Sequence, residues 1–337
     1  VSTRALLLDR SLELTLGRRD LRQPGAGEAL VRVEFAGVCG SDLHVLRSGA
    51  WVSYWPATLG HEVSGVVEAC PGGELAPGTP VVADSRVPCG RCAGCARAAN
   101  LCESLAWLGE VVPGGFAEHL VLPVGSLVVH PPELDPAIAV LAEPLAVAMH
   151  AVSRAAGVLG SSPGAQPGAL APGERALVLG YGPIGALVHA ELSRRYPQLE
   201  VSVRDPLAER RLLATAFAAR DGDESPGSGF DLVVDAAGSA RSLAEAVAAT
   251  SHGGCVVVVA LGHEPVEVLP AELAERSLAL VGCSGFAGEL PEAVGVLAGD
   301  PDRFLPLVSE TVLLEEAPQR LADLRRHPAA GKLLVRP

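Results

Sequence analysis

The feature that most limits how this chain can fold lies in its second half. An apolar run, Ala176-Leu-Val-Leu179, leads straight into Gly180-Tyr181-Gly182-Pro183-Ile184-Gly185, and a helical apolar spacing follows to about Arg195. Strand, glycine-rich turn and helix in that order is the start of a βαβ unit. Strand patterns recur at Val201–Val203, Leu232–Asp235, Cys255–Leu261 and Leu278–Val281, with helical spacing between them. That alternation predicts a parallel sheet with helices on both faces. The glycines permit a tight turn and close backbone approach, and the helix N-terminus after them favours a pyrophosphate. Asp205, twenty residues after Gly185 at a strand end, strengthens an otherwise weak motif. A carboxylate there accepts hydrogen bonds from a ribose 2′-hydroxyl and repels a 2′-phosphate, so NAD is expected ahead of NADP. Arg204, Arg210 and Arg211 leave NADP open. A solvated helix face is the preferred account of the three, with Arg210 kept as a cofactor-binding candidate.

The first 140 or so residues read differently. Ala29–Phe35 alternates, Val63–Glu68 and Phe116–Leu122 are short apolar runs, and Pro and Gly punctuate them at turn spacing. This predicts a barrel-like β domain. After Glu143 the texture changes: Leu145–Ala156 has helical spacing, and 157–172 is a Gly/Ser/Pro/Ala stretch that reads as a surface loop. Short β-like segments return at Thr311–Leu314 and Leu333–Val335, which suggests that the tail rejoins the first domain. A length of 337 residues agrees with two domains. The net charge of −13 argues against nucleic acid as a partner. No apolar run approaches the roughly 20 residues of a membrane span, and the start lacks a signal-type apolar segment. A cytoplasmic protein away from the membrane is expected, so the eight cysteines call for metal more than for disulfides.

Cys89, Cys92, Cys95 and Cys102 fall within 14 residues. Four thiolates close a tetrahedral zinc completely, so this set reads as a structural site. An iron–sulfur cluster is the competitor, but Glu103 follows Cys102 where the bacterial ferredoxin pattern has Pro, and no second set exists. Cys70, Cys255 and Cys283 read as small buried residues. A second donor group precedes the loop. Cys39-Gly-Ser41-Asp42-Leu-His44 and Gly60-His61-Glu62 bring a thiol, imidazoles and carboxylates within 24 residues. Cys39 and His61 can supply two corners of a catalytic zinc that keeps one position open. Taken alone, a buried cysteine and an ordinary histidine account for the pair equally well.

These parts, in this order, resemble the zinc-containing medium-chain dehydrogenases/reductases. The resemblance also takes in Gly114-Gly-Phe-Ala-Glu118, Glu143-Pro-Leu-Ala-Val-Ala, and Gly331-Lys332-Leu-Leu-Val-Arg-Pro337, and covers essentially the whole chain. It implies an α/β protein: a GroES-like β-barrel catalytic domain over 1–145, a doubly wound Rossmann domain over 146–302, and a segment 303–337 returning to the first. It implies two zinc ions, one catalytic and one structural. The catalytic ion would be held by Cys39, His61 and one or both of Glu62 and Glu143, with Asp42 orienting His61. Ser41 would take the proton of the alcohol and pass it by way of the cofactor ribose to His44, and Glu62 is counted with these catalytic residues. Lys332, the only lysine, would contact the cofactor phosphates. His150 reads as packing. Trp51, Tyr54 and Trp55 are pocket walls or core. The Glu-Pro pair at Glu143 is similar to the branch containing sorbitol, threonine and 2-deoxy-scyllo-inosamine dehydrogenases. Its implied substrate is a polyol, sugar, cyclitol or amino-cyclitol, and its implied assembly a homodimer or homotetramer. The rivals are a simple-alcohol or threonine-like dehydrogenase and a non-catalytic cofactor-binding relative. Two departures from the family stand out: a Cys95–Cys102 gap one residue short, and an abbreviated stretch at Ala214–Gly229.

Overall fold

The computed structural model describes residues 1–160, 174–221, 229–324 and 326–337. They form two compact units, one of Val1–Glu143 with Leu290–Pro337 and the other of Pro144–Glu289.

The first unit is built on the strand Glu28–Gly37, in which Ala29, Val31 and Val33 are buried and their neighbours are not. This alternation is what a strand needs to bury one face. It pairs antiparallel with Glu62–Ala69, His119–Pro123 and Lys332–Arg336. Pro80–Ala83, Leu127–Val129 and Val308–Leu313 extend these into one seven-stranded sheet. Leu6, Leu8, Val33, Leu59, Val63, Phe116, Leu120 and Val335 form its main core. One register matters for the site: Gly37 pairs with Glu62. A side chain at Gly37 would collide with the Glu62 carboxylate, so the glycine makes room for a buried acid.

The second unit is the expected parallel sheet. Its order is Arg220–Asp221, Glu200–Arg204, Arg175–Leu179, Phe230–Asp235, Thr250–Val258, Ala279–Gly282, and all five pairings are parallel. Leu177, Leu179, Phe230, Val233 and Val256 form its core with the helix Ala240–Ala249. The strand leading into the glycine-rich turn has Glu200–Arg204 on one side and Phe230–Asp235 on the other. The order reverses there, and in open α/β sheets ligands bind at such a reversal.

Three boundaries differ from expectation. The second unit ends at Glu289 and not at 302, because the helix Leu290–Gly299 buries Leu290, Ala293, Val294 and Leu297 within the first unit. A helix carries no β pattern, so the returning strands give no sign of it. The helix Ala142–Leu159 absorbs the first residues of the expected 157–172 loop, and 161–172 lie outside the described residues. In the abbreviated stretch, the helix Ala208–Ala216 and a two-residue strand at Arg220–Asp221 are described, while 222–228 are not. Among the described residues one helical stretch, Pro136–Leu159, is long and apolar enough to cross a membrane, yet 72% of its apolar window is buried inside the protein.

Phe230 has no solvent exposure and anchors the second unit's core. Phe230→Ala is expected to cost about 3–5 kcal/mol, read as a lower urea midpoint for the loss of parallel-sheet structure.

Candidate metal centres and dinucleotide turn

Cys39 is the N-cap of the helix Gly40–Ser48, and Asp42 turns back as its capping partner. Asp42 Oδ2 accepts a hydrogen bond from the Cys39 amide at 2.8 Å, and Oδ1 accepts one from the Gly60 amide at 3.1 Å. One buried carboxylate thereby ties the segment carrying Cys39 to the segment carrying His61. Gly60 has φ +91°, and the Phe116 ring lies where its side chain would be. A left-handed backbone with no free volume admits only glycine. His61 Nδ1 is 3.9 Å from Asp42 Oδ1, so Asp42 acts on the imidazole by charge and not through a direct hydrogen bond.

Donor atoms of Cys39, His61 and Glu62 all lie within 4.8 Å of one another. Glu62 Oε1 accepts a hydrogen bond from Lys332 Nζ at 2.6 Å, while Oε2 is buried with no partner. Glu143 lies outside this three-residue group, and its Oε1 accepts from Ser85 Oγ at 2.7 Å. The titration behaviour reports an excess of negative charge. Burial disfavours an imidazolium at His61, yet Asp42 and then Cys39 hold its pKa well above the ordinary value. Burial pushes the Glu143 carboxyl up to about 7, with His61 pulling it down and Glu62 raising it further. A sulfur, a nitrogen and an unpartnered carboxylate oxygen in a buried, anionic site fit a divalent zinc.

Lys332 requires a correction. Its ammonium is buried, donating to Glu62 and to the Val38 carbonyl at 3.2 Å, and is not the solvent-facing cation that a phosphate contact needs. Burial lowers its pKa, but Glu62 and Cys39 outweigh that and keep it charged. The apolar run after it, Leu333-Leu-Val335, is the available signal that this strand is interior. Ser85 has no such signal, because nothing in its sequence context points 58 residues ahead to Glu143.

The four-cysteine loop closes on itself. Sγ–Sγ distances are 3.8 Å for Cys89–Cys95, 3.5 Å for Cys92–Cys95 and 3.9 Å for Cys92–Cys102. Zinc–sulfur bonds of about 2.3 Å in a tetrahedron require edges of about 3.8 Å. Backbone amides point at the sulfurs: Cys89 N and Ser104 N donate to Cys102 Sγ, and Cys95 N to Cys92 Sγ. Such donors favour thiolate, and amide N–H groups of Glu103 and then Cys95 draw the Cys92 thiol down to about 6. Any side chain at Gly94 would strike the Leu101 carbonyl, so glycine allows the crossing that brings Cys102 in. The short Cys95–Cys102 gap is therefore no obstacle.

In the second unit, Gly180 has φ +85°, and Gly185 lies so close to the Gly180 carbonyl that no Cβ fits. Gly182 caps the helix Pro183–Arg195, and no side chain caps that end, so the N–H groups of Ile184 and Gly185 after Pro183 can face a phosphate. Asp205 is more engaged than expected. Oδ2 accepts from Tyr181 N at 2.7 Å and Arg210 Nη1 at 3.3 Å, and Oδ1 from Leu207 N at 2.8 Å. It braces the turn while keeping capacity for one more donor. Arg210 lies over Gly182, Arg204 pairs with Glu245, and Arg211 holds the Asp205 and Pro206 carbonyls. His150 pairs with Glu289 at 2.7 Å. Near the first centre, Ser41 Oγ is buried without a hydrogen-bond partner, and the His44 ring lies 4.5 Å from Trp51.

Comparison with known proteins agrees with this arrangement. Residues 25–132 match the alcohol dehydrogenase GroES-like domain and residues 213–299 match the zinc-binding dehydrogenase domain. The chain is 30% identical over 311 residues to L-galactonate-5-dehydrogenase of Escherichia coli K12, covering 88% of this chain and 87% of that one. It is 33% identical over 308 residues to D-altritol 5-dehydrogenase of Agrobacterium fabrum, covering 86% of each. Among solved structures, an alcohol dehydrogenase from Escherichia coli CFT073 complexed with NADH superposes with a TM-score of 0.86 at 26% identity over 99% of each chain.

Two donor clusters lead to an expected zinc content near two per chain. Cys95→Ser should remove one equivalent and lower the melting temperature, and His61→Ala the other with the fold retained, by elemental analysis and circular dichroism. The raised Glu143 pKa sets a second expectation. The metal-free folded chain binds more protons than the unfolded chain between its ordinary 4.5 and about 7, so this group's contribution to stability is lost as pH rises through that window. A divalent ion beside His61 and Glu62, whose charges already act on Glu143, should draw that proton off, so calorimetry in buffers of different ionisation enthalpy should show proton release that shrinks above pH of about 7.

Proposed function

The chain belongs to the zinc-containing medium-chain dehydrogenase/reductase family, and on that basis we propose that it oxidises a secondary alcohol of a polyol, sugar, cyclitol or amino-cyclitol, with NAD as hydride acceptor. The observation that carries this reading is the unpartnered Glu62 oxygen beside Cys39 and His61, in a chain that also carries a dinucleotide turn. The relatives that act on L-galactonate and D-altritol support a polyhydroxylated substrate. We also infer a cytoplasmic homodimer or homotetramer, on the family resemblance alone.

Zinc at this centre supplies a Lewis acid that lowers the pKa of an alcohol, and NAD accepts the hydride. Cys39 and His61 hold the ion, Glu62 offers it Oε2, and Glu143 stands by as a second carboxylate on Ser85. Asp42 fixes the spacing of the two ligand-bearing segments. Ser41 Oγ, buried and lacking any other partner, takes the proton released by the substrate. His44 follows one turn along the same helix and is partly exposed, which suits delivery of that proton to solvent. In the second unit Gly180, Gly182, Pro183, Ile184 and Gly185 bind the pyrophosphate, and Asp205 with Arg210 meets the adenosine ribose.

Steady-state NADH formation on a polyol and cyclitol panel, against ethanol and benzyl alcohol, tests this directly. Higher kcat/KM on the polyols is expected, and a preference for simple alcohols, or no reduction of NAD with zinc-replete protein, overturns it. Ser41→Ala should lower kcat by roughly 10²–10⁴-fold while zinc content stays unchanged.

A further inference from the structure

The turn Trp107–Phe116 is laced to the backbone immediately before His61. Gly114 N donates to Thr58 O at 2.8 Å, Phe116 N to Leu59 O at 2.9 Å and Gly115 N to Gly60 O at 2.6 Å. Gly109, at φ +84°, rests on the same segment, where a Cβ would lie 3.1 Å from Gly60 N and 3.2 Å from Leu59 Cα. At the tip of this turn stands Glu110, whose carbonyl accepts from Ser53 N at 3.0 Å. That bond ties it to the segment bearing Trp51, Tyr54 and Trp55. Trp51 is held at φ +67°, a conformation a bulky residue rarely adopts, with its ring against His44. Glu110 therefore shares a rim with the aromatic wall beside the metal centre.

Its carboxylate is half-buried, and among the described residues no hydrogen bond or ion pair reaches it. Burial raises its pKa, His61 lowers it and Asp42 raises it, so the group is close enough to the centre to feel both. Half-buried yet still open to solvent, the carboxylate has all of its acceptor capacity available to a donor that a ligand brings.

Resting on the reading of this centre as a secondary-alcohol dehydrogenase, we propose that Glu110 determines specificity: its carboxylate accepts a hydrogen bond from a hydroxyl or ammonium of the substrate away from the reacting carbon, so the site takes neutral or aminated polyols and cyclitols and excludes aldonates and phosphorylated sugars.

The zinc-replete enzyme, wild type and Glu110→Gln, is assayed on myo-inositol, sorbitol, 1-amino-1-deoxysorbitol, gluconate and sorbitol 6-phosphate. Binding to the NADH complex is read in parallel from quenching of its three tryptophans. Wild type should favour the neutral and aminated compounds over both anions. The near-isosteric Glu110→Gln should raise KM for the amino compound by roughly tenfold or more while kcat is held, and Glu110→Lys should admit gluconate. The assignment is overturned by a wild-type preference for the anions, by Glu110→Gln kinetics equal to wild type, or by a uniform fall in kcat on every substrate. If nothing turns over but Glu110→Gln still weakens polyol binding, the dehydrogenase reading falls and the role of Glu110 stands. Normal turnover with no effect of Glu110→Gln removes the role of Glu110 and leaves the dehydrogenase reading in place.

Discussion

The buried ion pair between Glu62 and Lys332 is the contact on which the metal centre rests. It joins residues 270 apart in sequence, both removed from solvent, at 2.6 Å. Taking two charges out of water is expensive, and removing one partner alone leaves an uncompensated charge costing about 3–5 kcal/mol. The pair also fixes a direction. With Oε1 spent on the ammonium, Oε2 is the oxygen left for a cation. The C-terminal strand lies two places from Glu62–Ala69 in the sheet, with Glu28–Gly37 between them, yet its lysine sets which oxygen of Glu62 is available to a cation.

The two metal centres solve the same electrostatic problem in opposite ways. Around Cys89, Cys92, Cys95 and Cys102 the backbone turns amides toward the sulfurs, which favours thiolate at Cys89 and Cys92 before any ion arrives, while burial holds the Cys95 proton up to about 11. Around Cys39, His61 and Glu62 the protein instead buries acids beside an imidazole, so Asp42 and Cys39 hold a proton on His61 and burial holds one on Glu143. The first arrangement encloses an ion and keeps it. The second competes for one and leaves room for a ligand.

What is legible in the sequence is what is local. The thiols of the 89–102 loop and the glycines of 180–185 have their partners within a few residues, so spacing alone conveys their geometry. The fold class follows from periodicity. Register and long-range pairing are not legible: the bond from Asp42 to Gly60, the Ser85 hydroxyl on Glu143 and the burial of Lys332 all depend on which strands become neighbours. Lys332 shows the difference most plainly. As the only lysine, beside a motif-like ending, it reads as a phosphate contact, whereas a strand interior on both sides decides its place.

That single lysine has a consequence for handling the molecule. All other basic side chains are guanidinium or imidazole, and the one side-chain amine is 2% exposed. Acylating labels, aldehyde fixatives and amine-directed cross-linkers therefore find no lysine at the folded surface. Their incorporation at residue 332 becomes a chemical clock for opening of the barrel, ticking only in molecules whose last strand has come away.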